Sequence, residues 1–408
     1  MADQQTFVII GANMAGGRAA QALRKEGFEG AIVLIGEEPD PPYERPPLSK
    51  EYLRGQLPRE KVFLAKQDFA AENEVDLRLG VRAARIDIAR RTVALANGDS
   101  VVYDKLLIAT GGRPRRLTVP GADLQGVYYL RTIADSETIS AELKEGRRAV
   151  VIGAGFIGAE VAASARVQGL HVTLLEIASV PLERALGADV GRIYAQLHRD
   201  HGVDLRLDEG IERIEGASRA ERVVTTKGDT IDCDFVVAGV GIEPNVEIAG
   251  GAGIAVDNGI VVDEYCRTNV EDVFAAGDVA NFYHPVLKER FRVEHWENAQ
   301  GQGRAAALNM LGRHEPYTDI PWFWSDQYDV NMQYAGHASS WDATAVRGDP
   351  AARDGTIFYL QDGRLLAVLA FNRFRDVRRA RALLAAGVSP DAAQLADESV
   401  DLQSLLPA

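Results

Sequence analysis

Cysteine is almost missing from this chain. Only Cys233 and Cys266 occur in 408 residues, and no C-x-x-C or C-x-x-x-x-C pair exists. A disulfide framework is therefore not expected. The chain cannot hold an iron–sulfur cluster alone, which takes about four thiolates, and it has no redox-active cysteine pair. Positive charge is also in deficit. Lys and Arg total 45 against 59 Asp and Glu, a formal net charge of −14. That balance argues against general nucleic-acid binding, since neutralising phosphates needs a basic surface. No apolar run approaches the roughly 20 residues of a membrane span. The first apolar run, Phe7–Ile10, is short and feeds a glycine turn. No signal peptide and no membrane contact are expected, and the protein reads as soluble and cytoplasmic. No low-complexity segment or solenoid repeat is present.

What the chain does have is the same strand–glycine–helix pattern twice. Residues 6–10 read as a buried parallel strand and Met14–Glu26 as a helix with small residues facing the sheet. Ala31–Ile35 reads as a second strand and Lys105–Thr110 as another. The segment Pro39–Pro47 is too proline-rich for helix or central strand. Asn97-Gly98 marks a hairpin after the alternating Thr92–Leu95. The pattern restarts with a strand at Ala149–Ile152, a helix at Phe156–Gln168 and a strand at Val172–Leu175. Strands at Phe235–Val240 and Val273–Ala276 follow. From about Trp322 the pattern changes to short alternating strands and a late helix, Val377–Ala386. The expected fold class is α/β, with two Rossmann-like dinucleotide-binding domains and a C-terminal α+β domain. The second unit interrupts the first: 1–113 with 245–321, then 114–244, then 322–408.

Each glycine cluster follows a strand and opens a helix, where backbone N–H groups can meet a pyrophosphate. In the first, Gly11 and Gly16 fit the outer positions of G-x-G-x-x-G, while Asn13 replaces the middle glycine. Asn tolerates left-handed backbone, so the turn stays feasible. Ala15 lies inside this turn. Glu37, just past the next strand, is placed to accept hydrogen bonds from a ribose. In the second cluster Gly153, Gly155 and Gly158 complete the fingerprint. Phe156 and Ile157 open its helix, and Gly241 starts the Gly-Ile-Glu-Pro turn after the Phe235–Val240 strand; all three are candidate cofactor contacts. Glu176 ends the strand after the fingerprint, where a carboxylate binds a 2′-hydroxyl and repels a 2′-phosphate. That selects NAD over NADP. Arg184 is the nearby base, either over the ribose or phosphates or in a surface ion pair.

The most specific string is Tyr43-Glu44-Arg45-Pro46-Pro47-Leu48-Ser49-Lys50. Further strings are LLIATGGRPR (106–115), YLRTIADSE (129–137), VVIGAGFIGAE (150–160), VFAAGDVA (273–280) and PWFWSDQYDV (321–330). Together they resemble the FAD-dependent ferredoxin reductases of oxygenase systems, within a wider family that includes apoptosis-inducing-factor-like flavoproteins. The resemblance spans nearly the whole chain. It implies FAD at the first glycine site and NAD, as NADH, at the second. It also implies residue roles. Lys50 approaches the flavin ring, and Glu160 pairs with it where flavin and nicotinamide meet. Arg45 is presented from the same rigid loop. Asp278 reaches the ribityl chain, Arg131 contacts FAD, and Ala83 meets adenine through its backbone. Trp296 meets the ring through its backbone, and Trp324 lies near the flavin or in the core.

The implied reaction carries electrons from NADH through FAD to a two-iron, two-sulfur ferredoxin that feeds a monooxygenase or dioxygenase. With no cysteine pair beside the flavin, electrons must leave directly to another molecule. Rubredoxin, a quinone or oxygen are alternative acceptors, and an NADH-switched binding flavoprotein is the alternative outside electron transfer. Docking of an acidic ferredoxin on an acidic chain requires a local basic patch. Arg373, Arg375, Arg378, Arg379 and Arg381 offer one, or else a solvated helix face.

Overall fold

A computed structural model describes residues 5–65 and 68–407. The first sheet is built of parallel strands in the order Val273–Ala275, Lys105–Ile108, Thr6–Ile10, Ala31–Ile35, Asp76–Arg78. Its central strand is apolar on both faces, as a sheet covered on both sides requires, and Val8 and Ile9 are fully buried. The second sheet has the order Asp204–Arg206, His171–Leu175, Arg148–Ile152, Phe235–Ala238, Val127–Tyr128, again parallel throughout. The strand Val273–Ala275 therefore returns to the first sheet after the whole second sheet has been laid down. Each unit also carries a three-stranded antiparallel sheet, Ala83–Asp87 with Thr92–Leu95 and Ser100–Val102 in one, Ile211–Glu215 with Arg222–Thr225 and Thr230–Asp232 in the other. The two crossing segments pair with each other, Gly112–Pro114 against Ile242–Pro244.

The third sheet is antiparallel, in the order Trp322–Gln327, Val330–Gly336, Arg364–Phe371, Asp354–Gln361, Ala343–Asp349. Helix Phe374–Ala385 buries Val377, Ala380, Leu383 and Leu384, at helical spacing, in the core beneath it.

Two long helices fell outside the sequence expectations: Ala188–Asp200 and Trp296–Met310. The second carries glycines at 301 and 303, which lower helix propensity. Gly303 is nonetheless required, because a Cβ there would stand 2.3 Å from the Ala15 carbonyl oxygen on the facing helix Met14–Lys25. The proline-rich loop also differs from expectation. Pro46–Ser49 forms one turn of 3-10 helix with both prolines in its first positions, where a missing N–H costs nothing. Among the described residues, no helix is long and apolar enough to cross a membrane.

Candidate functional site

Both glycine turns are backbone-limited. Gly11 (φ +114°) and Gly153 (φ +92°) occupy the region open to glycine, and a Cβ on Gly16 or Gly158 would stand 1.9 Å from the carbonyl oxygen of Gly11 or Gly153. The middle positions behave differently. Gly155 is extended, with no neighbour inside 4.0 Å of its missing Cβ. Asn13 is extended too (φ −115°, ψ −150°), not left-handed as its residue type suggested. It caps the Met14–Lys25 helix, its Oδ1 accepting from the Met14 N–H at 2.9 Å. The turn needs positive φ two residues earlier, at Gly11. The middle residue needs only to be small or cap the helix, which is why Asn fits.

The first turn opens into a cavity of about 920 Å³. Gly11, Asn13, Ala15, Glu37, Arg45 and Ala83 line one arm of it, and Arg131, Asp278, Trp296, Trp324 and Lys50 line the remainder. From the second glycine site, Phe156, Ile157 and Glu160 reach the same cavity. Gly16, Gly153, Gly155, Gly158, Glu176, Arg184 and Gly241 do not line it. Gly16 packs behind the first turn, and the others belong to the second unit. There both Glu176 oxygens are fixed, one accepting from Ala154 N–H (2.7 Å), the other from Ala178 N–H (2.9 Å). A carboxylate has about four acceptor positions, so lone pairs remain for a ribose. Arg184 is exposed on a short helix, Glu183–Leu186.

Lys50 and Glu160 meet in this cavity, one from each unit. Their Nζ···Oε2 distance is 2.7 Å, with both side chains over nine-tenths buried. The Ser49 hydroxyl donates to the same oxygen and the Ser325 hydroxyl to Oε1 at 2.7 Å. Glu160 thus has a donor on each oxygen, which a buried carboxylate requires. Farther along, Arg131 pairs with Asp278 at 2.8 Å. Arg45 is held against Glu38 at 2.6 Å and donates to the Arg131 carbonyl.

The cavity suits FAD on three counts. It is walled by the glycine turn. The Arg131 Nε and Trp296 Nε1 donors are buried without hydrogen-bond partners. The N-terminus of the 15-residue helix Trp296–Met310 opens on it, offering unpaired N–H groups to an electron-rich ring edge. Trp296 meets Trp324 edge-on at 5.8 Å, and Trp324 stacks on Trp322 at 5.2 Å. Trp324 is therefore both a cavity wall and part of a packed aromatic group.

Sequence reasoning missed His295 and Ser325. His295 lines the cavity beside Phe323 (ring centroids 4.4 Å), with Nδ1 buried and unpartnered, and burial lowers its pKa to about 4. A lone histidine ahead of an unrecognised helix carried no signal. Ser325 carried a weak one, since strand alternation puts it on the face opposite Trp324.

The arginine group is less free than its spacing suggests. Arg373 pairs with Asp354 (2.7 Å) and Glu398 (2.5 Å), Arg379 with Asp401 (3.2 Å) and Arg381 with Glu297 (2.8 Å). Arg375, over the exposed Phe374 ring, and Arg378 are exposed without a carboxylate partner among the described residues. The Arg381–Glu297 pair ties this helix to the first turn of Trp296–Met310, and so to the cavity rim. Cys233 and Cys266 are free and buried, and burial pushes each thiol up to about 12.

The family described as pyridine nucleotide-disulphide oxidoreductase matches residues 5–303, and the reductase C-terminal family matches residues 322–406. Rhodocoxin reductase of Rhodococcus erythropolis is 42% identical over 98% of this chain and 93% of its own. The ferredoxin–NAD(+) reductase component of the anthranilate 1,2-dioxygenase system of Burkholderia cepacia is 42% identical over 98% of this chain and 99% of its own. Putidaredoxin reductase, in its covalent complex with putidaredoxin, superposes with a TM-score of 0.95 at 37% identity, covering 98% of each chain.

Proposed function

The chain belongs to the pyridine nucleotide-disulphide oxidoreductases that carry a reductase C-terminal domain, and we propose that within them it is an NADH-dependent ferredoxin reductase of an oxygenase system. It holds FAD and takes NADH as reductant. The observation that carries this reading is the single cavity in which the first glycine turn and the head of the second unit's helix share the buried Lys50–Glu160 pair. Two cysteines far apart in the chain leave no dithiol to store electrons.

FAD in this cavity supplies the conversion of a two-electron reductant into single-electron deliveries. The chain's residues do the rest. Gly11 and the first turn of Met14–Lys25 receive the pyrophosphate, with Gly16 packed behind that turn and Glu37 and Ala83 toward the adenosine. Arg45, Arg131 and Asp278 fix the middle of the cofactor. Lys50 sets a positive charge beside the ring, and Glu160 keeps that charge in place. Gly153, Gly155, Gly158 and Glu176 receive NADH, with Arg184 and Gly241 at the edge of that site. Phe156, Phe323 and His295 wall the junction against water, and Ile157 stands exposed at its mouth. The division 1–113 with 245–321, 114–244 and 322–408 goes with this reading. So does a cytoplasmic location, where NADH is available and free thiols persist.

The partner is a two-iron, two-sulfur ferredoxin, docking by the Phe374–Ala385 helix near the tryptophan group. Anaerobic mixing with NADH and such a ferredoxin tests the assignment. The expected result is reduction of two ferredoxins per NADH, far faster than reduction of rubredoxin or a quinone, or of oxygen in a parallel aerobic run. A long-lived coloured complex with NADH, with slow delivery to every acceptor, would overturn it.

A further inference from the structure

Glu160 sits in the second unit, its donors Lys50 and Ser49 in the first, and the remaining donor to Glu160 comes from the C-terminal antiparallel sheet. Ser325 lies on strand Trp322–Gln327, is fully buried, and donates to Glu160 Oε1 at 2.7 Å. Its own oxygen accepts from Gln327 Nε2 at 3.2 Å. That acceptance turns the hydroxyl proton of Ser325 toward Glu160. Gln327 in turn interacts with the buried His198 of helix Ala188–Asp200. Gln327 Oε1 and His198 Nε2 are both buried without a closed hydrogen bond, and an amide oxygen and a ring N–H are complementary. On its other side His198 Nδ1 lies 3.2 Å from the Tyr328 hydroxyl. Each group in this row can donate toward the next and end on the carboxylate. The row runs from the tip of the hairpin between Trp322–Gln327 and Val330–Gly336 to the cavity.

We propose that Ser325 is a positioning residue of the reaction site, through which the C-terminal sheet holds Glu160 turned toward Lys50. This rests on the reading that Lys50 and Glu160 face the bound flavin and nicotinamide. The same strand presents Trp324 to the cavity on its opposite face. One six-residue strand therefore touches both the cavity wall and the charge pair. The titratable and charged groups around Glu160 are Lys50 from the proline loop and Tyr194 from Ala188–Asp200, which feels both Glu160 and Asp326. Tyr194 is buried and held as the neutral phenol, so Lys50 is the charge that faces Glu160, beside two neutral hydroxyl donors, Ser49 on Oε2 and Ser325 on Oε1.

The test is the flavin midpoint potential and the rate of flavin reduction by NADH, each measured across pH for the holoenzyme and for Ser325→Ala, Ser325→Thr and Glu160→Gln. Losing a hydrogen bond to a buried carboxylate makes proton uptake easier. In Ser325→Ala the acid-side inflection should move upward by about one pH unit, a tenfold change in proton affinity. Ser325→Thr keeps the hydroxyl and should retain the original inflection. Gln327→Met, which leaves Ser325 but frees its proton, should move it the same way by less, and it decides the matter if Ser325→Ala does not fold. Profiles of Ser325→Ala and Gln327→Met that superpose on the unaltered protein overturn the proposal. So does a threonine variant that behaves as the alanine one, which would make the role one of packing. Glu160→Gln separates the two levels. If it alters potential and rate while Ser325→Ala does not, only the role of Ser325 fails. If it alters neither, the placement of the Lys50–Glu160 pair beside the flavin fails as well.

Discussion

Lys50 Nζ and Glu160 Oε2 lie 2.7 Å apart, although 110 residues separate them in the chain. One comes from the proline-rich loop of the first unit, the other from the helix that follows the second glycine turn. Each ion is desolvated, so neither is stable there without the other. The pair is at once a clasp between the two nucleotide-binding units and a charge arrangement in the wall of the cavity they share.

Replacing Lys50 by Met removes the cation but leaves Glu160 buried. Two effects should appear together. The flavin midpoint potential should fall, because the reduced ring loses a positive neighbour, and reduction by NADH followed in a stopped-flow instrument should slow. Stability should drop by about 3–5 kcal/mol from the uncompensated carboxylate. Adding Glu160→Gln to Lys50→Met should return most of that stability without returning the potential. An unchanged potential in Lys50→Met with FAD still bound would place Lys50 away from the ring.

Glu176 should set the choice of coenzyme. Its two oxygens are pinned by Ala154 and Ala178, so the carboxylate cannot swing aside for a 2′-phosphate. We expect NADH to be preferred over NADPH by well over about tenfold in kcat/KM, worth more than about 1.4 kcal/mol. Glu176→Gln keeps an acceptor oxygen for the turn but removes the charge, and should narrow the preference chiefly by improving NADPH. Equal efficiencies in the unaltered protein would remove Glu176 from this role.

These two cases mark what the sequence reveals. The glycine turns and the acid at a strand's end are local features, governed by backbone sterics within a few residues, and were legible directly. Asn13 was legible as an acceptable substitute, though for the wrong reason, since the strained position is Gly11. The partnership of Lys50 with Glu160 is not local, and only resemblance to a family suggested it. Only strand alternation hinted at Ser325, whose importance lies in which oxygen it reaches. The helix Trp296–Met310 was hidden because its glycines serve helix–helix approach rather than helix propensity. The arginine group was over-read because its neutralising carboxylates, Glu297, Asp354, Glu398 and Asp401, come from other segments.

His198 gives a pH signature to stability. Burial lowers its imidazole from 6.5 to about 4. Between those values the unfolded chain takes up a proton that the folded protein refuses, so stability falls as pH drops from 6.5 towards 4 and is level above. The loss should reach about 3 kcal/mol across the window. Unfolding midpoints of the holoenzyme at successive pH values should show this slope, and His198→Gln should flatten it by that residue's share. An identical slope in the variant would mean that His198 is protonated in the folded protein.

We expect docking of a ferredoxin to depend on two arginines, Arg375 and Arg378. Arg373, Arg379 and Arg381 are engaged by carboxylates, so reversing them should disturb the fold before it disturbs a partner. Arg381→Glu in particular would set two acidic groups together at Glu297, beside the cavity rim. Arg375 and Arg378 are exposed on the same helix, which that pair holds against the start of Trp296–Met310. Their charge is available to an acidic ferredoxin, and it should act mainly on association, weakening as salt screens it. Reversing both to Glu should raise the KM for ferredoxin and reduce its dependence on ionic strength. Reduction of ferricyanide by NADH should stay unchanged, because neither nucleotide site is touched. A parallel loss of both activities would point to damage of the fold. If ferredoxin reduction and its salt dependence both survive, the partner approaches by another face, and the exposed arginines serve only to solvate the helix.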